Sequence, residues 1–181
     1  MIIVEGPDGA GKTTLINAMK EAWGIEVAPR VVSKDTEALV DLQQWVDENL
    51  EAGFQNMIFD RHRLISETIY GPILRFEQEP GFNKMEWLAP RMKRFYELKP
   101  VIIYCLPPFD VVERNLVNDP DNRSVYTDIE AIYSAYVSRA SLDETFSPGI
   151  VKVWDYTRSL TIADRPAWLT QLKREIEDRF K

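Results

Sequence analysis

Residues Gly6-Pro7-Asp8-Gly9-Ala10-Gly11-Lys12-Thr13 follow the short apolar run Ile2-Ile3-Val4 and lead into a stretch with helical periodicity. A buried strand, the turn Gly-x-x-x-x-Gly-Lys-Thr and a helix, in that order, leave few folds open. Gly9 and Gly11 carry no side chain, so consecutive backbone N–H groups can turn inward and cradle phosphate oxygens. Lys12 is spaced to reach the β and γ phosphates, and Thr13 offers a hydroxyl to Mg²⁺ at the first turn of a helix predicted over 12–22, whose N-terminus adds the positive end of its dipole. Gly6, Asp8, Gly9, Ala10, Gly11, Lys12, Thr13 and Thr14 are therefore the expected nucleotide-binding residues, with ATP and Mg²⁺ as the expected ligands.

Downstream, strands and helices alternate. The pattern predicts a strand over 25–32, a helix over 35–50 ended by Gly53 with Leu39, Leu42, Val46 and Leu50 on one face, and a strand Met57-Ile58-Phe59 closing on Asp60. Helices are predicted over about 65–76 and 86–98, the second stopping before Pro100, with a polar loop holding Pro80-Gly81 between them. A strand over 101–106 is broken by Pro107-Pro108. A helix over 109–117 and an exposed polar segment over 118–126 come next. Then comes a helix from about Asp128 with Ile129, Ile132, Tyr133, Tyr136, Val137 and Ala140 on one face, a strand over 150–154 and a last helix ending near Phe180. This order implies an α/β fold: three layers, a mostly parallel five-stranded sheet with helices on both faces. One domain over 1–181 is expected, with no repeat or low-complexity linker.

In such sheets ligands gather beyond the carboxyl ends of the strands, which singles out Asp60-Arg61. The Asp60 carboxylate can reach a Mg²⁺ shell built on Thr13, and Arg61 can face the phosphoryl group in flight. That transition state is loose and rich in charge, so an arginine placed there can contribute roughly three to five powers of ten in rate.

The formal net charge of −7 argues against a protein that coats nucleic acid, which needs clustered Lys and Arg, but allows a small anionic substrate held by a few converging arginines. Cys105, the only cysteine, sits in an apolar run, is expected to be buried and inert, and excludes an internal disulfide. The absence of a basic and apolar leader and of any apolar run of membrane-spanning length gives the expectation of a soluble, cytoplasmic protein with no membrane partner.

With these residues in view the chain resembles the thymidylate kinase-like P-loop nucleotide kinases, including short versions encoded by bacteriophages. The resemblance rests on Glu5 to Thr14, on Phe59-Asp60-Arg61-His62 with Ser66-Glu67 and Tyr70-Gly71, and on Cys105-Leu106-Pro107-Pro108 through Arg114, and it runs loosely to about Phe146. It implies that Asp8 approaches the acceptor sugar, that Arg61 holds phosphates, and that a lid over about 118–127 supplies Arg123. Some members carry the further arginine directly after the acid of the phosphate loop. Here that position is Gly9, which is similar to the branch that relies on the lid. The resemblance also implies an acceptor pocket holding Tyr70, Arg75, Phe76 and Arg91, a loop against adenine within 155–158, and a homodimer. Four residues separate Arg61 from Ser66, one more than is usual in the family, so Ser66 receives no role.

His62, the only histidine, reads as structural or solvent-facing, since an already ionised phosphate acceptor needs no base. Asn83-Lys84-Met85-Glu86 ends in Glu and follows no strand, which separates it from a guanine-reading motif. The leading expectation is a deoxynucleoside monophosphate kinase using MgATP on a pyrimidine deoxynucleotide such as dTMP. The alternatives are a kinase acting on a hydroxyl, either a deoxynucleoside 5′-OH or a hydroxymethylated base with Asp60 as base, and a non-catalytic nucleotide-binding switch.

Overall fold

The computed structural model describes residues 1–28, 37–52, 57–74, 85–118, 125–158 and 164–179, with 37–43 and 52 as backbone only. Five strands, β1 (Ile2–Glu5), β2 (Glu26–Val27), β3 (Met57–Asp60), β4 (Val101–Cys105) and β5 (Ile150–Trp154), form one sheet in the order β2-β3-β1-β4-β5. Among the described residues every pairing is parallel. The central strands β1 and β4 are buried along their whole length, which is why they read as apolar runs rather than alternating ones, with Glu5 at the end of β1 as the buried exception.

The described helices are α1 (Lys12–Trp23), α2 (Glu37–Ala52), α3 (Arg63–Leu74), α4 (Met85–Glu97), α5 (Phe109–Val117), α6 (Ile129–Phe146) and α7 (Asp164–Arg179). Helix α1 packs Leu15, Ile16 and Met19 inward and ends at Gly24, whose φ of 66° lets its N–H return to the Lys20 carbonyl at 2.9 Å. Each fully buried Ile or Leu side chain in such a core contributes roughly 1.5–3 kcal/mol.

The three-layer α/β expectation holds, and most elements fall within two residues of their predicted bounds. Two differences are physical, and the predicted strand over 25–32 is met only in part by the described residues. The described part of β2 is two residues long, and 29–32 lie outside the described residues. Val137 is 41% exposed rather than part of the buried stripe of α6, because the stripe runs through Ile129, Ile132, Tyr136, Ala140 and Asp143, and Val137 stands one residue, about 100°, off it. Residues 125–128 of the polar segment form a short 3₁₀ turn ahead of α6, while 119–124 lie outside the described residues.

Asp143 is the polar exception on that stripe. Its two oxygens accept from the hydroxyls of Tyr96 and Tyr104 at 2.5 Å each, and Arg139 Nε adds a bond at 3.1 Å. The network ties α4 and α6 to β4 and satisfies every charge that it buries. Cys105 is buried as expected, and burial pushes its thiol up to about 12, leaving it unreactive.

Candidate active site

The site begins where β1 and β3 end. Val4 lies opposite Asp60 in the ladder, and the Arg61 N–H extends it by one more bond, to the Val4 carbonyl at 3.0 Å. Arg61 then adopts φ 69°, a left-handed conformation that a residue with a side chain takes only when its surroundings hold it there. What holds it is Glu5. The buried Glu5 carboxylate accepts the His62 N–H at 2.6 Å and the Tyr136 hydroxyl, reaching in from α6, at 3.1 Å. Burial raises Glu5 to about 7, although the His62 N–H, Arg61, Tyr136 and Lys12 all pull the other way. His62 is fully buried among Trp45, Phe59 and Phe95, with ring centroids 5.5, 5.8 and 4.9 Å away. Burial, with Arg63 adding to it, lowers His62 to about 3, so the imidazole is neutral and structural.

Held this way, the Arg61 side chain points back to the phosphate loop. Its Nη2 donates to Asp8 Oδ1 at 2.6 Å and to the Tyr70 hydroxyl at 2.8 Å, with the Gly6 carbonyl at 3.4 Å. Tyr70 in turn donates to Asp8 Oδ2 at 2.9 Å, and its ring lies beneath the guanidinium, 4.8 Å from Cζ to centroid. Asp8, Arg61 and Tyr70 thus close a triangle. Burial alone would raise Asp8, but Arg61, Lys12 and the two hydrogen bonds outweigh it and hold the carboxyl below its ordinary range.

The loop is shaped by contacts that exclude side chains. A Cβ on Gly6 (φ 138°) would meet the Cys105 carbonyl oxygen at 2.5 Å, and one on Gly9 (φ 76°) the Val112 carbonyl oxygen at 2.9 Å. Gly9 therefore sits directly on α5, which is a physical reason why this loop has no room for an arginine after Asp8. Ala10 is fully buried, while Thr13 and Thr14 are exposed on the first turn of α1. Lys12 Nζ donates to the Pro7 carbonyl at 2.7 Å. Burial and the nearby Arg61 charge lower it to about 8, against the opposing pull of Asp8 and Asp60.

That pull places the Asp60 carboxylate within electrostatic reach of Lys12. Among the described residues no group of three or more His, Cys, Asp or Glu could hold a metal by itself. A hydroxyl and a carboxylate, the groups that Thr13 and Asp60 carry, are the kind of donors that could serve Mg²⁺, which keeps several waters and takes its other ligands from phosphates.

The remaining candidates fare differently. Arg91 donates to Asp47 at 2.7 and 2.6 Å and to the Trp87 carbonyl at 3.1 Å, and it stacks 4.3 Å over the Trp87 ring. Those bonds tie α4 to α2, and none reaches the Asp8 triangle. Arg75, Phe76 and Arg123 lie outside the described residues, as do most of 118–127. Sequence reasoning gave no role to Glu5 or Tyr136, and it did not find Asn115, whose Nδ2 lies 2.8 Å from both the Gly9 carbonyl and the Tyr156 hydroxyl. Asn115 and Tyr156, with Gly11, Thr14, Trp154 and Arg165, wall a cavity of about 240 Å³ beside the loop. Tyr156 falls within the 155–158 loop that the resemblance set against adenine. Among the described residues no helix is long and apolar enough to cross a membrane.

No family model matches the chain. In sequence it is similar to "Probable thymidylate kinase 1" of Saccharolobus solfataricus, 25% identical with 80% of this chain and 90% of that protein covered. In structure it is similar to the YorR protein of Bacillus subtilis, solved with phosphorylated GDP, with a TM-score of 0.65, 20% identity and coverage of 96% and 97% of the two chains. It is also similar to the deoxyadenosine kinase of M. mycoides solved with dCTP, with a TM-score of 0.63, 16% identity and coverage of 97% and 100%. The fold is therefore a three-layer α/β fold with a phosphate-binding loop.

Proposed function

We propose that this chain is an ATP-dependent nucleotide kinase that moves the γ-phosphoryl group of MgATP onto a pyrimidine deoxynucleoside monophosphate such as dTMP. The observation that carries this reading is the 2.6 Å pairing of Arg61 with Asp8 at the rim of the phosphate loop. Among the described residues Nη1 of Arg61 makes no hydrogen bond, so the guanidinium keeps a donor for a phosphate oxygen after Asp8 and Tyr70 have fixed its position, while Nε is buried without a partner. The 25% identical relative, whose name is "Probable thymidylate kinase 1", supports the same class of reaction.

In this scheme the loop from Gly6 to Thr14 holds the donor phosphates, Lys12 and Arg61 spread the charge of the transferring group, and Arg123 adds to it from the lid. Bound Mg²⁺ supplies neutralisation of the phosphate oxygens, with Thr13 and Asp60 as its protein ligands. Asp8 orients the acceptor sugar. Tyr70 serves the acceptor side by bracing Asp8 and Arg61 rather than by offering a ring face, while Arg75, Phe76 and Arg91 are assigned to the acceptor pocket.

A hydroxyl acceptor would require a base. Neutral His62 is sealed in the core, and Glu5, the carboxyl poised near neutrality, is committed to the His62 N–H and to Tyr136. Asp60, the base a hydroxyl acceptor would use, would then have to serve both proton and metal, whereas an acceptor that arrives already ionised leaves Asp60 to Mg²⁺ alone. The test is ADP release in a coupled assay with MgATP and a panel of nucleosides and monophosphates. Stimulation by dTMP is expected. Stimulation by nucleosides alone would favour the hydroxyl acceptor, and release that no acceptor stimulates would reject both.

A further inference from the structure

Asn115 projects from α5 against the outer side of the phosphate loop. A carbonyl oxygen can only accept, so the bond to Gly9 fixes the orientation of the Asn115 amide, with nitrogen toward the loop. The same nitrogen lies 2.8 Å from the Tyr156 hydroxyl, so both of its donors are engaged. Among the described residues Oδ1 accepts no hydrogen bond. Asn115 is therefore a fixed amide with an unused acceptor, in the wall of a cavity that starts at Gly11 and the first turn of α1. A nucleotide whose phosphates occupy the loop has that cavity next to it for its base.

We propose that Asn115 selects the base of the donor nucleotide, its Oδ1 accepting a hydrogen bond from the exocyclic amino group of adenine and opposing the carbonyl oxygen that guanine carries at that position. The inference rests on the kinase reading only in taking this cavity as the donor side. Two acceptors set against each other leave both unsatisfied, which costs more than the absence of a partner. Guanine should therefore be disfavoured more than a purine that lacks the amino group. The bond to Gly9 gives Asn115 a second, positioning effect, because it holds the Gly9 peptide with its oxygen turned toward α5.

Calorimetric titration of the whole protein with ADP, GDP and purine riboside 5′-diphosphate, with no acceptor present, separates these effects. ADP should bind about three- to tenfold tighter than the purine analogue, the worth of one hydrogen bond, and more tightly still than GDP. In Asn115→Ala all three should weaken as the Gly9 bond is lost, and the advantage of ADP over the purine analogue should vanish. Asn115→Asp keeps an acceptor and loses the donor, so overall affinity should fall while the ADP advantage persists. Equal affinity of the wild-type protein for ADP and the purine analogue overturns the proposal, and so does an advantage that survives Asn115→Ala. Should ADP be preferred as described while no acceptor is ever phosphorylated, the kinase reading fails and the role of Asn115 stands.

Discussion

Arg61 and Asp8 stand 53 residues apart in sequence and share an ion pair at 2.6 Å, with their side chains only 10% and 15% exposed. Nearly all of the proposed chemistry depends on where this pair puts the guanidinium. A lysine in its place keeps the charge but loses the planar fork that can bind Asp8, Tyr70 and a phosphate together. Arg61→Lys should lower kcat by roughly two powers of ten or more while changing ADP affinity only a few-fold. Steady-state kinetics alongside ADP titration measures both, and near-normal turnover would remove Arg61 from the reaction.

Lys12 is held at about 8 by burial and by Arg61, and it must be protonated to bind phosphate. Its bound state has the higher pKa, so through Lys12 nucleotide affinity should fall as pH rises above 8, with proton uptake on binding. Titration in buffers of different ionisation enthalpy reads that uptake directly. Lys12→Ala should abolish turnover and the proton linkage while leaving the thermal transition close to that of the wild type.

Gly9→Ala tests the floor of the loop. The added methyl would stand 2.9 Å from the Val112 carbonyl oxygen at a φ of 76°, so the loop or α5 must shift. A loss of roughly 1–3 kcal/mol in stability is expected from the strained backbone, together with a clear loss of ADP affinity. Chemical denaturation and ADP titration check the two effects, and a variant matching the wild type in both would show that the loop is not shaped by this contact.

The phosphate loop and Asp60-Arg61 were legible in the sequence because each is a local pattern at the end of an apolar strand, where the topology of a parallel sheet brings such ends together. The relations that give the site its shape are not local. The resemblance sets Tyr70 in an acceptor pocket without a role for its hydroxyl, and only its distance from Asp8, 62 residues away, shows that this hydroxyl closes the triangle. Glu5 belongs to the recognised motif, but its work depends on Tyr136, 131 residues downstream, and on the His62 N–H. Asn115 meets Gly9 across 106 residues and carries no pattern that a scan could find. Side-chain direction in three dimensions decides these roles, and neither periodicity nor spacing encodes it.

His62 carries a stability prediction. Its pKa falls from an ordinary 6.5 to about 3, so the unfolded chain binds one more proton between those values. The stability it contributes is present above pH 6.5 and lost as pH falls toward 3. Glu5, raised to about 7, acts in the opposite sense between 4.5 and 7 and masks part of the loss there. Comparison with His62→Phe isolates the histidine: the stability of the wild type relative to the variant should decline by about 1.4 kcal/mol per pH unit across that window. Parallel unfolding curves for the two proteins from pH 6.5 to 4 would contradict a buried neutral imidazole.

The central claim is that the terminal phosphoryl group of ATP moves onto a phosphate oxygen. Incubating the protein with Mg²⁺ and γ-labelled ATP, in the presence of dTMP or of thymidine, and locating the label in the separated products tests this most directly. Label on the β-phosphate of dTDP, appearing only with dTMP, is the expected result. Label on the 5′ oxygen of thymidine, or label recovered only as inorganic phosphate whichever acceptor is present, would contradict it.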